Sequence, residues 1–152
     1  MRMSRDEFMV YLTAKNNREY DKMEAFVTDD IVLEFYDDGT LSEMPPRVVH
    51  GKENYMAHFK SSHGKFWEHM DLGFYLCDDE FILTEQYTEW HSLVDQNDPS
   101  RGVLGGLMKG DVFCSTNWLC YSFAPDGRFN RVRIAHHLVH RWAPKHVPVP
   151  YD

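Results

Sequence analysis

The chain has 152 residues, 43% apolar, 26% charged and 14% aromatic, which fits one globular domain with a core of ordinary size. Its net charge of −8, from 24 acidic against 16 basic side chains, disfavours contact with phosphate backbones and so excludes nucleic acid as the expected partner. No apolar run approaches the roughly 20 residues of a membrane span. MRMSRDEF lacks the apolar stretch of a signal peptide, and Cys77, Cys114 and Cys120 have no CxxC spacing, so a cytoplasmic protein with reduced thiols is expected.

Residues 5–16 read as a helix, with Phe8, Val10, Tyr11 and Leu12 apolar and Ser4, Asp6 and Glu7 suited to its start. A second helix is expected over 18–27, carrying Tyr20, Met23, Phe26 and Val27 at helical spacing. Ile31–Phe35 reads as a strand, 37–47 as a loop rich in Asp, Gly and Pro, and Val48–His50 as a short strand. A third helix follows over 52–62, then long strands over 67–77, 80–94 and 107–124. Residues 95–106 form a polar loop or lid between the last two of these. Pro125-Asp126-Gly127 is a hairpin turn into a final strand, 128–142, and residues 143–152 form a Pro-rich, extended tail. Helices grouped before long hairpin strands predict an α+β domain, 1–142, in which a curved antiparallel sheet is closed by three N-terminal helices into a cone open at one end.

This order resembles the SnoaL-like, or nuclear transport factor 2-like, superfamily. So do Phe26-x-x-Asp29-Asp30-Ile31-x-Leu33 before the first strand, Gly51-Lys52-Glu53 at the third helix and Asp126-Gly127-Arg128 before the last strand. The nearest functional likeness is to scytalone dehydratase, polyketide cyclases and related isomerases. It implies a catalytic histidine after the third helix, here His69, and a second near the end of the next strand, here His91. It also implies a Ser-x-Asn pair, matched one residue out of step by Ser115-Thr116-Asn117 after Met108-Lys109-Gly110. The place of the family's helix-one aspartate falls at or near Asn16, and that of its strand-one tyrosine at Phe35. The base of ketosteroid isomerase falls at Glu34 or Phe35. The dehydratase and isomerase machinery is therefore incomplete.

Nine histidines are the strongest compositional hint of acid–base chemistry. His136, His137 and His140 lie in a strand-like segment, where His136 and His140 stand about 13 Å apart and cannot share a metal. No metal site and no cofactor are expected. Alternation puts Val132, Ile134, His136, Leu138 and His140 on the apolar face, and Arg131, Arg133 and His137 on the other. That register leaves Arg133 misplaced for an epoxide-hydrolase constellation. Glu85, Tyr87, Glu89 and His91 share one face of their strand, and Gln86, Thr88, Trp90 and Ser92 share the other. Periodicity does not say which face is inward; in the first case Glu89 orients His91 or is itself the base. Asn117 shares a face with Phe113 and is a candidate holder of a carbonyl or enolate oxygen.

The expected catalytic set is thus His69, His91, His136, Asn117 and Glu89, with Phe35, Tyr87, Tyr11, Leu138 and Phe113 as substrate-binding walls. The expected function is cofactor-independent isomerisation, cyclisation or dehydration of a small carbonyl-containing secondary metabolite, polyketide- or terpenoid-like. The alternative is a non-catalytic ligand- or partner-binding member of the same fold. A homodimer is implied by the resemblance, through Trp118, Arg131, Arg133 and the tail.

Overall fold

A computed structural model describes residues 2–36, 47–138 and 144–149. Helix α1 spans Arg5–Asn16, as expected. It starts in a capping box: Ser4 Oγ accepts from the Glu7 backbone N–H at 3.1 Å, and Glu7 Oε2 accepts from the Ser4 N–H at 2.7 Å. Arg18, at φ 59°, turns the chain out of it. Helix α2 covers only Tyr20–Glu24, shorter than the spacing suggests. Val27, at the end of the apolar spacing read as helix, is instead the first residue of strand β1, Val27–Phe35. β2 is Arg47–His50 and α3 is Lys52–Lys65. Gly51 joins them at φ 83°, which favours glycine.

The long strands are β3, Phe66–Cys77; β4, Phe81–Ser92; β5, Val112–Phe123; and β6, Phe129–Leu138. The expected loop between β4 and β5 is a 3-10 segment, Pro99–Gly106. The six strands form one sheet in the order β2-β1-β6-β5-β4-β3, open at both edges among the described residues. The expected antiparallel pairing holds at every contact except β1 with β6, which is parallel. The reason is topological: β1 joins the sheet beside the last strand, reached through the whole intervening chain, so no hairpin dictates its direction.

The helices cover one face of the sheet. Phe8, Tyr11 and Leu12 of α1 pack with Ile31, Leu33, Ile82, Leu119, Tyr121, Phe129, Val132 and Ile134 in a single core. The rings of Phe8, Tyr11, Tyr121 and Phe129 meet at 4.9–6.4 Å, the range in which aromatic pairs attract. Val132 and Ile134 are buried and Arg131 is exposed, as the alternation required. No helix among the described residues is long and apolar enough to cross a membrane.

Candidate functional site

The register decides which side chains face the helices. In β3, Phe66, Glu68 and Met70 pair with Ser92, Trp90 and Thr88 of β4. Those in turn share the helix-facing side with Phe113, Ser115 and Asn117 of β5. The inward set of β4 is therefore Gln86, Thr88, Trp90 and Ser92, and Glu85, Tyr87, Glu89 and His91 lie on the outer face. Trp67, His69 and Asp71 of β3 lie there with them.

On the inner face a group of ionisable side chains is buried together. Lys15, Ser62, His63 and Glu68 are each no more than 5% exposed. Ser62 Oγ donates a short hydrogen bond to Glu68 Oε1, and His63 Nε2 lies 3.9 Å from Glu68 Oε2. Tyr20 Oη is hydrogen-bonded to His63 Nδ1 at 2.8 Å. Lys15 Nζ stands 4.3 Å from the centre of the Phe59 ring. Burial pushes the Glu68 carboxyl up, against the pull of Ser62 and Lys15. Burial pulls the Lys15 ammonium down to about 8, while Glu68 partly restores it. His63 is pulled down to about 3 by burial and then by Arg18 and Lys15; His58 falls to about 4 by burial and then by Arg47. Both imidazoles are neutral at pH 7, and the Lys15 ammonium and the Glu68 carboxyl act on each other electrostatically within this buried cluster.

Further along the inner face runs a polar ladder. Trp90 Nε1 donates to Ser115 Oγ at 3.2 Å, Ser115 Oγ donates to Asn117 Oδ1 at 2.9 Å, and Asn117 Nδ2 donates to Thr88 Oγ1 at 2.8 Å. Gln86 Nε2 continues it to Thr84 and to the Tyr121 hydroxyl at 3.1 Å. Asn117 thus faces inward, with both ends of its amide engaged by neighbours. Phe113 shares its face and is half-buried. Tyr11 is sealed in the core, its hydroxyl 2.5 Å from that of Tyr55. Phe35 is buried between His58, at 5.2 Å, and the Arg47 guanidinium, 3.9 Å from its ring centre. Glu34 points the other way, to Arg131 at 2.7 Å. His136 is exposed, opposite Asn117 in the β5–β6 register. The side chains of His137 and Leu138, and the whole of His140, lie outside the described residues.

The outer face holds the other histidines. His69 Nε2 lies 3.3 Å and His146 Nε2 2.8 Å from the two oxygens of Asp71. Glu89, opposite His69, accepts from the Lys145 backbone N–H at 2.7 Å, which draws the tail across the sheet. His91 Nε2 is 3.7 Å from Glu89 Oε1, and Trp67 stacks on His69 and meets His91 edge-on. Tyr87 is exposed on this face, its hydroxyl donating to Glu85 at 2.6 Å. A groove of about 900 Å³ runs beside the cluster, lined by Asn17 and Arg18 after α1, by Tyr20 at the start of α2 and by Trp67, His69 and His146.

Of the expected catalytic set, His69, His91 and Glu89 come together, but on the face away from the helices. Asn117 lies on the opposite face. Asn16 is occupied as a clasp on β3: its amide donates to the Met70 carbonyl and accepts from the Met70 N–H, both at 2.9 Å. Its neighbour Lys15 faces in. The buried set of Lys15, His63 and Glu68 was missed by sequence reasoning. For two of them the available signal was one residue away: Glu68 precedes His69 and alternates with it across the strand, and Lys15, beside Asn16, lies on the Phe8, Tyr11 and Leu12 side of α1.

No family model matches the sequence, and no curated protein matches it. Solved structures do. A candidate polyketide cyclase from Xanthomonas campestris is 16% identical, covers 86% of this chain and 87% of its own, and superposes with a TM-score of 0.64. A nuclear transport factor 2-like protein of unknown function from Burkholderia pseudomallei is 11% identical over 86% of this chain and 87% of its own, at 0.64. A Mycobacterium tuberculosis protein solved with estradiol-17β-hemisuccinate is 12% identical over 84% of this chain and 88% of its own, at 0.63. At these identities the likeness establishes the fold: the chain has the nuclear transport factor 2-like, or SnoaL-like, α+β architecture.

Proposed function

We propose that the chain is an acid–base enzyme, working without an organic cofactor, that isomerises, cyclises or dehydrates a small, mostly apolar carbonyl compound. The reaction centre is the inner face of the sheet beneath α1 and α3. The observation that carries this reading is Glu68: a buried carboxyl, held by Ser62, with His63 3.9 Å away and the buried Lys15 ammonium within electrostatic reach. A fold does not need such a group for stability, because burying a charge costs several kcal/mol even when it is paired. Buried, perturbed carboxylates are commoner where protons are moved.

In this scheme the Glu68 carboxylate takes the proton from the carbon next to the substrate carbonyl. The electron pair moves to oxygen, and the Lys15 ammonium stabilises the enolate. Glu68, now an acid, returns the proton to another carbon in isomerisation, or to a departing hydroxyl in dehydration. Ser62 and His63 position the carboxylate through their contacts with its two oxygens, and Tyr20 sets the His63 tautomer. Trp90 and Phe113 offer apolar area for a flat substrate. The similarity in fold to a candidate polyketide cyclase and to a protein holding a steroid ester supports polyketide- or terpenoid-like carbonyl compounds as substrates.

The test selects compounds of that class by thermal stabilisation and incubates each hit with the protein in D2O. Deuterium entering next to the carbonyl is read by mass spectrometry. The wild type is expected to exchange, and Glu68→Gln to exchange on the order of 10²-fold more slowly or worse. Exchange by folded Glu68→Gln at the wild-type rate refutes the assignment. Tight binding with no exchange by the wild type favours the non-catalytic reading instead.

A further inference from the structure

We infer that the outer face of the sheet carries a binding site for one divalent transition-metal ion of the zinc type, with His69, Asp71, Glu89 and His146 as ligands. This site is separate from the proposed reaction centre, which uses the opposite face of β3. The expectation of no metal rested on the spacing of His136 and His140; these four residues are other groups, brought together from two strands and the tail.

Ligand atoms of His69, Asp71 and His146 all lie within 4.8 Å of one another. The closest approaches are 3.3 Å from His69 Nε2 to Asp71 Oδ1, 2.8 Å from His146 Nε2 to Asp71 Oδ2, and 3.5 Å from His146 Nε2 to Glu89 Oε2. Ligands about 2.0 Å from a tetrahedral zinc are separated from one another by about 3.3 Å, so the spacing of His69, Asp71 and His146 needs little rearrangement, and Glu89, which approaches His146, would turn toward the ion as the fourth ligand. Two imidazoles with two carboxylates are a donor set suited to a borderline ion of this kind, where calcium or magnesium would call for oxygen alone.

Two further observations point to a ligand. Glu89 is 4% exposed, yet its Oε2 atom has no hydrogen-bond partner; its other oxygen already accepts from the backbone N–H of Lys145. His91, 7% exposed and two residues from Glu89 on the same face, also has a buried Nε2 without a hydrogen-bond partner, with Glu89 Oε1 3.7 Å away. A buried carboxylate oxygen without a hydrogen bond is costly to the fold, and a cation removes that cost. Trp67 supplies the packing that orients ligating imidazoles, stacked on His69 at 5.6 Å and 13°. His69 and His146 also line the outer groove, so a bound ion would face a space able to admit water or a small ligand.

The site would tie residues 144–149 to the sheet, since His146 is the tail's contribution. The test titrates the chain with Co²⁺, whose visible absorption reports tetrahedral nitrogen and oxygen ligands, and then displaces it with Zn²⁺ under calorimetry. One ion per chain is expected. His69→Ala and His146→Ala should each weaken Zn²⁺ binding tenfold or more with unchanged circular dichroism, and His136→Ala with His137→Ala should leave it within twofold. Asp71→Asn, which keeps the shape of the side chain, should weaken it likewise and guards against a folding defect in either alanine variant. Amide exchange at Lys145 and His146 should slow when Zn²⁺ is added. No saturable Zn²⁺ binding below about 100 μM overturns the inference, as does a loss of less than tenfold in both alanine variants.

Discussion

Two histidines, His63 buried and His58 half-buried, should make the protein fragile in mild acid, and replacing one of them should remove half of the effect. In the folded chain His63 is pulled down to about 3 and His58 to about 4, chiefly by burial. In the unfolded chain both imidazoles titrate near 6.5. A group whose folded pKa is depressed contributes stability that is present above the unfolded pKa and is lost as pH falls toward the folded value. Between pH 6.5 and 4 the unfolded state alone takes up these protons, so each histidine lowers stability by about 1.4 kcal/mol per pH unit once titration is complete. From pH 7 to pH 5 the loss is about 2 kcal/mol per residue and about 4 kcal/mol for the pair, against a typical total of about 5–15 kcal/mol. The perturbation is His63→Gln, which keeps an acceptor for the Tyr20 hydroxyl and does not titrate. The assay is urea unfolding at pH 7 and pH 5 for both proteins. The pH-dependent loss should shrink by about 2 kcal/mol in the variant. Glu68, whose carboxyl is pushed up by burial, acts with the opposite sign in both proteins, so it largely cancels from the difference. Equal losses in the two proteins, within about 0.5 kcal/mol, would mean that His63 is not the buried neutral group described here.

Four further outcomes follow from particular contacts. Ser4→Ala removes half of the capping box of α1 and should cost about 1 kcal/mol, read as a lower urea midpoint at constant m. Asn117→Ala leaves Ser115 and Thr88 without their shared buried partner and should cost about 1–3 kcal/mol, whereas Glu34→Gln, at an exposed ion pair, should cost under about 1 kcal/mol. Gly105→Ala places a Cβ 1.7 Å from the Asp98 carbonyl oxygen, so the segment Pro99–Gly106 must shift; hydrogen exchange should show the Asp98 amide losing protection while the Tyr121 amide, in the core, keeps its own.

Much of the architecture is local in origin, and local origin is what a sequence exposes. The Ser4 cap, the apolar positions of α1, the turn at Gly127 and the alternation of Val132, Arg133 and Ile134 each concern neighbours within a few residues. Even the outer-face grouping of Glu89 with His91 was legible as a period of two. What stayed open was the face. A strand presents two sets of side chains with equal regularity, and only the helices lying against the sheet decide which set is buried. They chose Glu68 over His69 and Thr88 over Glu89, although all four belong to patterns that the sequence displays equally well.

The same reason accounts for the rest. The parallel pairing of β1 with β6, the meeting of Lys15 with Glu68, and the bond of His146 to Asp71 join residues separated by roughly fifty to a hundred positions. No periodicity reaches that far. The amino-acid sequence by itself determined the elements, their order and the stock of acid–base groups. Tertiary structure decided which of those groups share a low-dielectric interior, where a carboxylate's protonation becomes sensitive to one lysine, and which lie outside under the tail.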